Sequence, residues 1–375
     1  MLNSVPALPA ARQPRAIVRV NGEVMPGWIE WEVENNTHYL ADTFRVGFAV
    51  SALPANRGPD WFAAQSVLVI EILAGFPADA DRYTAADLES LIVGRADEFS
   101  YDPVRRVLEL GGRDLTALMV DTATFEKFQQ KTSSEVAAII AQRHGLTAVV
   151  TATKTKVGGY YRLENARLTS KMSEWDMLTW LAGEEGFIVY VAGNALYFQP
   201  QPVDVVNPYA LQWQQPTGER GGAVFNGMEL RFARNLTLAR DVIVTVRSAN
   251  PLTGRTLTQT VHATHTQSTV LAGAPQPTGA AQTYVFNVPG KTQAELLKIA
   301  QSKLAEITKH EMRLEASMPA DSLLTTTSVL QVTGTGTVFD QNYYPESITR
   351  RMSPGEGYRM DVRAKNHSPE SQVSA

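Results

Sequence analysis

Ile29-Glu30-Trp31-Glu32-Val33 and Phe44-Arg45-Val46-Gly47-Phe48-Ala49-Val50 carry an apolar side chain at almost every second position. That is the period of a half-buried strand, in which successive side chains point to opposite faces. Just upstream, Ile17–Val20 and Glu23–Met25 flank Asn21-Gly22, the pair that most readily takes the two positive φ angles of a type I′ hairpin turn. Val67–Leu73 reads as a more buried strand. Asp102-Pro103 starts a turn between strands at Ala96–Tyr101 and Val104–Leu110. From Arg15 to about Arg113 the chain shows many short strands and no long helix, which predicts a small antiparallel barrel or sandwich. Gly111-Gly112 is read as its end.

Beyond that point the period changes to about 3.6 residues. Thr132-Ser133-Ser134-Glu135 has the spacing of a capping box, Val136, Ile139 and Ile140 form one apolar face, and Gly145 stands where a left-handed cap residue belongs. A second helix follows the same rules. Ser173 caps Glu174–Glu185, with Trp175, Leu178, Leu181 and Ala182 facing inward and Gly186 ending it. Phe187–Val191 and Ala195–Phe198 then read as a hairpin, completing a small α/β unit.

Strand patterns return at Met228–Phe232, Val242–Val246, Thr256–His265 and Tyr284–Val288. One helix interrupts them, opened by a Thr292/Glu295 capping box, with Leu297, Ala300, Leu304 and Ile307 as its face and Lys309 and His310 at its C-terminus. Strands resume at Val329–Val332, Ile348–Arg350 and Tyr358–Ala364, the last two joined across Ser353-Pro354-Gly355-Glu356-Gly357.

Composition narrows the function classes. At 375 residues the chain exceeds what one core usually serves, and 44% hydrophobic against 19% charged residues excludes global disorder. A net charge of −4, from 34 basic and 38 acidic residues, is not that of a dedicated duplex-DNA binder. The absence of cysteine removes disulfides, thiol nucleophiles and thiolate metal sites. No apolar run is long enough to cross a bilayer as a helix, and the N-terminal stretch lacks the pattern of a secretory signal, so folding in a cytoplasm is expected.

The residues that could carry chemistry do not converge. His262 and His265 are three apart, which on a strand places them on opposite faces. His310-Glu311 begins like a zinc-protease helix motif, but position 314 is Leu. Gly334-Thr335-Gly336-Thr337 is too short for a phosphate loop and reads as a bend in a sheet. There is no Gly-x-Ser-x-Gly elbow. Glu184-Glu185 and Asp97-Glu98 are adjacent carboxylates that diverge, the former reading as an exposed last helical turn. Trp28, Trp31, Trp175 and Trp180 could form a sugar platform, but their periodic spacing favours core packing. No catalytic, cofactor-binding or metal-binding residue is nominated, and no interface residue is identified.

Four segments, taken in order, carry a resemblance. They are Gly112-Arg113-Asp114-Leu115-Thr116-Ala117-Leu118-Met119-Val120-Asp121, the helix Ser134–Leu146, the helix and turn Ser173–Phe187, and Ser347-Ile348-Thr349-Arg350-Arg351-Met352-Ser353-Pro354-Gly355-Glu356-Gly357-Tyr358. Together they resemble the baseplate hub proteins of contractile phage tails, the family of Mu-like and late-control-type tail proteins that is related to the N-terminal part of the type VI secretion spike. The resemblance implies a mainly β fold with α+β inserts: two similar antiparallel β-barrels, each with an inserted module, arranged as a ring in a trimer. Mapped onto this chain, the expected organisation is a flexible arm at 1–14, a first barrel at 15–120 and an α/β insert at 121–205. A second barrel at 206–247 and 312–365, an insert at 248–311 and a disordered tail at 366–375 complete it.

The resemblance also implies a structural, non-enzymatic role without cofactors. Three chains of two similar barrels give six similar barrels, so one face can match a hexameric tail tube and the other a trimeric spike. Such a homotrimer would line part of a DNA-ejection channel without binding DNA specifically. It would meet the tube, the spike and possible baseplate wedge proteins, insert in no membrane, and sit in the virion tail baseplate after assembly in the host cytoplasm. The chain shows no appended spike or lysozyme segment, so those activities are expected in separate proteins. The alternatives are a tail-associated peptidoglycan hydrolase, or the hub of a tailocin or type VI-like secretion device.

Overall fold

Asn21 and Gly22 have φ of +51° and +83°, so the chain reverses between β1 (Arg15–Val20) and β2 (Glu23–Val24) as the Asn-Gly pair dictates. The computed structural model describes residue 3 and residues 13–158, 172–200, 207–215, 224–235, 242–249, 256–263, 282–288, 291–308 and 312–366. The alternating stretches form β3 (Trp28–Asn36) and β4 (Thr43–Ala49), with Trp31, Val33, Phe44, Val46 and Phe48 buried. β5 (Val69–Gly75), β6 (Glu89–Asp102) and β7 (Val107–Asp114) complete an antiparallel array in the order β3-β4-β7-β6-β5-β1-β2. Among these strands lies α1 (Pro59–Ala63), whose buried Phe62 stacks on Phe99 and packs against Phe48.

Gly111-Gly112 does not end the array. Both residues lie inside β7, opposite a bulge at Ala96–Glu98 in β6. A Cβ on Gly112 would sit 2.1 Å from the Arg95 carbonyl oxygen, and one on Gly94 would sit 2.3 Å from that of Arg113. The glycines are there because two backbones approach closely.

The α/β unit follows the expected rules. It holds α2 (Ala117–Val120), β8 (Ala123–Thr124), α3 (Ser133–Arg143), β9 (Thr147–Val150), β10 (Met172–Ser173), α4 (Glu174–Glu185), β11 (Phe187–Ala192) and β12 (Ala195–Pro200). Thr132 and Glu135 close one capping box and Ser173 and Asp176 another, while Gly145 and Gly186 take φ of +71° and +68°. β11 and β12 form the hairpin, and β9 adds in parallel to β12. Val136, Ile140, Leu178, Leu181, Val189 and Phe198 are fully buried between helices and sheet, forming a core of their own.

In the C-terminal part, β13 (Tyr209–Gln214), β14 (Val224–Phe225), β15 (Glu229–Arg234), β16 (Val242–Ala249), β17 (Thr256–Ala263) and β18 (Gln282–Asn287) precede α5 (Gln293–Thr308). β19 (Met312–Pro319), β20 (Leu330–Thr333), β21 (Asn342–Ser353) and β22 (Gly357–Lys365) follow it. β13 pairs in parallel with β20, and β20, β21, β22, β19 and β15 continue antiparallel. β16 does not belong with these strands, although the boundary at 247 places it there. It is the centre of a separate sheet, β17-β16-β18, covered by α5 through Val242, Val244, Val246, Leu296 and Ala300. The buried face of α5 starts at Leu296; Leu297, expected inside, is 38% exposed because it is one residue, about 100°, round the helix. Lys309 lies outside the described residues.

Among the described residues neither strand-rich region closes into a barrel of its own. Among the described residues the sheet is open, and the mainly β fold is carried by one continuous array. The edge of β3 left free by β4 pairs antiparallel with β21 from Trp31↔Met352 to Asn36↔Ser347, so it is not available to close onto β1 or β2. A single core accordingly mixes Trp31, Val46 and Ile72 with Leu314, Ile348 and Met360.

The two ends are also held in part. Asn3, in the expected arm, pairs with the Ala210 backbone on β13, its amide donating to the carbonyl at 2.7 Å and accepting from the N–H at 2.8 Å. Asn366, expected in the tail, is fully buried and exchanges two hydrogen bonds of 3.1 Å with the Met312 backbone. Residues 367–375 lie outside the described residues.

Candidate functional site

The structure disperses the residues that the sequence offers for chemistry. His262 lies on β17, while His265, His310 and Glu311 fall outside the described residues. No cluster of three potential metal ligands occurs among the described residues. The Gly334–Thr337 bend wraps its own chain: Asp340 accepts from the Thr335 N–H, the Thr335 hydroxyl and the Gly336 N–H at 2.7–3.0 Å. An anion cradle filled by an internal carboxylate has no donors left for phosphate.

Glu185 accepts from Ser133 Oγ at 2.8 Å, which ties α4 to the start of α3, and Glu184 lies 3.9 Å from Lys291. Asp97 is held bidentately by Arg113 at 2.7 and 3.0 Å, a guanidinium that also reaches Asp121. Trp31 and Trp175 are buried, and Trp28 and Trp180 are half-buried against the two cores, so they form no exposed platform. A wide cleft of about 890 Å³ lies beside the loop between β5 and β6, lined by Asp79, Asp81, Asp87, Glu89 and Asp321. Ser322 shares that lining, and the Asp321 carboxylate accepts from the Tyr209 hydroxyl at 2.8 Å.

What the fold does assemble is a buried polar seam where β3 meets β21. Arg350, 3% exposed, gives Nε to the Asp321 carbonyl at 2.8 Å, one terminal nitrogen to Asn35 Oδ1 at 3.0 Å and the other to the Leu324 carbonyl. Asn35 passes the chain on through Nδ2 to Asp42 Oδ2 at 2.8 Å. Asp42 also accepts from the Asn36 N–H at 2.7 Å, and its carbonyl accepts from the Asp114 N–H at 2.9 Å. Asp114, 5% exposed, accepts from the Thr116 N–H and hydroxyl at 3.1 and 3.0 Å. Burial pushes the Asp42 carboxyl up to about 6, against smaller opposing effects of Asn35, Asn36 and Arg350. Burial, reinforced by the neighbouring Asp42 charge, holds Asp114 well above the carboxylate range.

The same segment carries the α/β unit. Residues 37–42 form a strap whose Tyr39 carbonyl accepts from Trp175 Nε1 at 2.9 Å and whose Tyr39 hydroxyl donates to the Phe187 carbonyl at 3.0 Å. His38 packs on Tyr190, with ring centroids 5.6 Å apart, and burial lowers its pKa to about 4, so it is neutral at pH 7. The strap also presents Leu40, 64% exposed. Inside the unit, Glu174 at the start of α4 is fully buried and takes Arg143 and, at 2.5 Å, His144 Nε2 from the end of α3, while Arg143 also holds Glu126 at 2.8 Å. These residues clamp the two helices together.

Sequence reasoning named none of Asn35, Asp42, Asp114, Glu174 or Arg350 as important. The signal for Arg350 was a charge sharing the inward face of a strand with Ile348. For Asp114 it was the Asp-x-Thr spacing of a side chain that binds the backbone two residues on. Asp42 and Asn35 carry no comparable mark.

With this geometry in view, the whole fold can be set beside solved structures. The tail protein from Neisseria meningitidis MC58 superposes with a TM-score of 0.65 at 16% identity, over 96% of this chain and 100% of that one. The 43 kDa tail protein of prophage MuSo2 from Shewanella oneidensis gives 0.64 at 14% identity, over the same shares. This chain has the fold of phage tail proteins. The c3393 protein of E. coli, a component of the type VI secretion system, gives 0.50 at 12% identity over 96% of this chain and 79% of that one. No family model and no curated protein matches the sequence.

Proposed function

We propose that this chain is a structural baseplate hub of a contractile phage tail. The observation that supports this reading best is the near-complete overlap with two phage tail proteins, over 96% of this chain and the whole of each of them. In this reading the two strand-rich regions, zipped through β3 and β21, act as two tube-facing units per chain. Three chains then present six such units to a hexameric tube and threefold symmetry to a trimeric spike. The inserts, including the α/β unit on its strap, stand at the periphery, where neighbouring baseplate proteins dock. DNA passes through the ring unbound, which suits a chain of net charge −4. The role is mechanical and needs no catalytic residue.

The likeness to the c3393 protein favours one second reading, the same adapter in a secretion device. The test is the solution mass by light scattering, with negative-stain class averages from the same peak and with tube and spike proteins present. Three copies of the 41.1 kDa chain around a central hole are expected. Monomers that never form a threefold ring with those partners would sink the proposal. A threefold ring from a gene cluster without capsid genes would favour the secretion device.

A further inference from the structure

The two halves of the array repeat one another strand for strand. The N-terminal half runs β2-β1-β5-β6-β7-β4-β3 and the C-terminal half β14-β13-β20-β21-β22-β19-β15. They differ in one pairing, since β1 meets β5 antiparallel and β13 meets β20 in parallel. A bulge marks the same place in both long hairpins, between Ala96 and Glu98 in β6 and between Pro345 and Ser347 in β21. Aligning the bulges places residues 98–102 on 347–351. Following the registers outward, through β7 and β4 in one half and β22 and β19 in the other, places residues 230–233 on 31–34.

Equivalent strands do not have equivalent neighbours. β21 carries β3 on its edge from Ser347 to Met352, but the matching stretch of β6 lies beyond the last β5 pair, Val69↔Arg95, and among the described residues no strand lies on that edge. β3 lies between β4 and β21, whereas among the described residues β15 pairs with β19 alone. Burial follows the neighbours. Val33 and Ile348 are fully buried and Trp31 and Arg350 nearly so, while their counterparts Phe232, Phe99 and Leu230 are part-exposed and Tyr101 is 39% exposed. The charges are exchanged as well. Between β21 and β3, Arg351 holds Glu32 at 2.5 Å; the matching residues are Asp102 on β6 and the exposed Arg231 on β15. An acid would therefore meet an acid if β3 took the edge of β6, and arginine would meet arginine if β15 took the edge of β21.

We propose that the edge of β15 pairs antiparallel with residues 98–102 of β6 in a second copy of this chain, repeating between chains the β3–β21 pairing made within one. The register carried over sets Ser100 opposite Ala233, Tyr101 opposite Phe232 and Asp102 opposite Arg231 of the second copy. The two edges of one chain do not meet, because β7, β4, β3, β21, β22 and β19 lie between them in the sheet. Backbone hydrogen bonds hold the added strand, Tyr101 and Phe232 gain the burial that Arg350 and Val33 already have, and the ion pair fixes the register. The contact runs head to tail: each copy offers β15 and receives on β6, so copies add in one direction until a ring closes. The proposal rests on the hub reading for the number three, and the pairing itself supplies the residues that meet.

The chain has no cysteine, so introduced thiols report one contact at a time. The experiment mixes full-length Ser100→Cys with full-length Ala233→Cys, both exposed positions, in the presence of tube and spike proteins. The mixture is oxidised, covalent dimers are read on a non-reducing gel, and the same sample is imaged by negative stain. A dimer joining the two variants is expected. Ser100→Cys mixed with Glu229→Cys, which is out of register, should give at least about tenfold less, because thiols so far apart cannot be bridged. Arg231→Glu added to the Ala233→Cys chain should cut the dimer at least about tenfold by setting an acid against Asp102, whereas Arg231→Lys should keep it. A threefold ring without the dimer, or equal dimer from both cysteine pairs, overturns the pairing and leaves the hub reading standing. The in-register dimer without a threefold ring upholds the pairing and sinks the hub reading. Neither dimer nor ring overturns both.

Discussion

Gly112→Ala offers a sharp test of how the sheet is built. The new methyl carbon would lie 2.1 Å from the Arg95 carbonyl oxygen and 2.8 Å from Ala96 Cα, both backbone atoms that no rotamer change can move. Ordinary contact requires more than 3 Å, so β6 and β7 must separate by about 1 Å at this point. That breaks the register Arg95↔Arg113 and Ala96↔Gly112, beside the bulge. Two weakened ladder bonds at about 1 kcal/mol each, plus about 1 kcal/mol of strain, put the cost at about 3 kcal/mol. Gly111→Ala is the control, because its methyl would meet only the Phe44 carbonyl oxygen at 3.9 Å. The assay is thermal unfolding followed by far-ultraviolet circular dichroism. Gly112→Ala should melt about 6 to 12 °C lower at 2–4 °C per kcal/mol, and Gly111→Ala within about 2 °C of wild type. Equal melting of both variants would falsify the close-approach account of these glycines.

Leu178→Asp or Leu181→Asp should destabilise the α/β unit by about 3–5 kcal/mol, since each position is fully buried and would hold an unpaired charge; unchanged melting would contradict the packing of α4. Arg143→Ala should cost more than Glu174→Gln, about 2–4 against about 1–3 kcal/mol, because the first leaves a fully buried carboxylate with His144 alone and the second leaves a part-exposed guanidinium that still has Glu126; urea titrations giving the reverse order would refute this. His38→Gln should flatten the acid limb of the stability curve, because a histidine whose pKa is lowered to about 4 supports the fold above pH 6.5 and loses that support as pH falls through 4. Asn366→Ala should cost about 1–3 kcal/mol by leaving the buried Met312 N–H without its acceptor, and a melting curve identical to wild type would show that the bond is dispensable.

Much of the local structure was legible because short-range chemistry decides it. Asn21-Gly22, the Thr132 and Ser173 caps, and Gly145 and Gly186 each specify a turn or a helix end within four residues, and each does so here. What could not be read was pairing between distant strands. The alternation of β3 says which side chains go inward, but it is silent on which strand fills its second edge, and that choice of β21 is what makes the sheet open. The same limit explains β16, whose pattern suits either sheet. Gly111-Gly112 was misread because a glycine pair marks a turn and a close backbone approach equally well. The buried seam escaped notice because its members come from four separate segments and only the fold joins them.

The seam between β3 and β21 has a consequence for how the chain is born. Arg350 and Asn35, hydrogen-bonded to one another, are 315 residues apart. During synthesis the first seven strands emerge early and can pair among themselves, yet β3 must wait with a bare edge until almost the whole chain has left the ribosome. Closing so long a loop is slow, and an unpaired edge invites association with other chains in the meantime. The N-terminal half is therefore expected to need either protection by chaperones or rapid completion of translation, and fragments ending before β21 should be the aggregation-prone form of this protein.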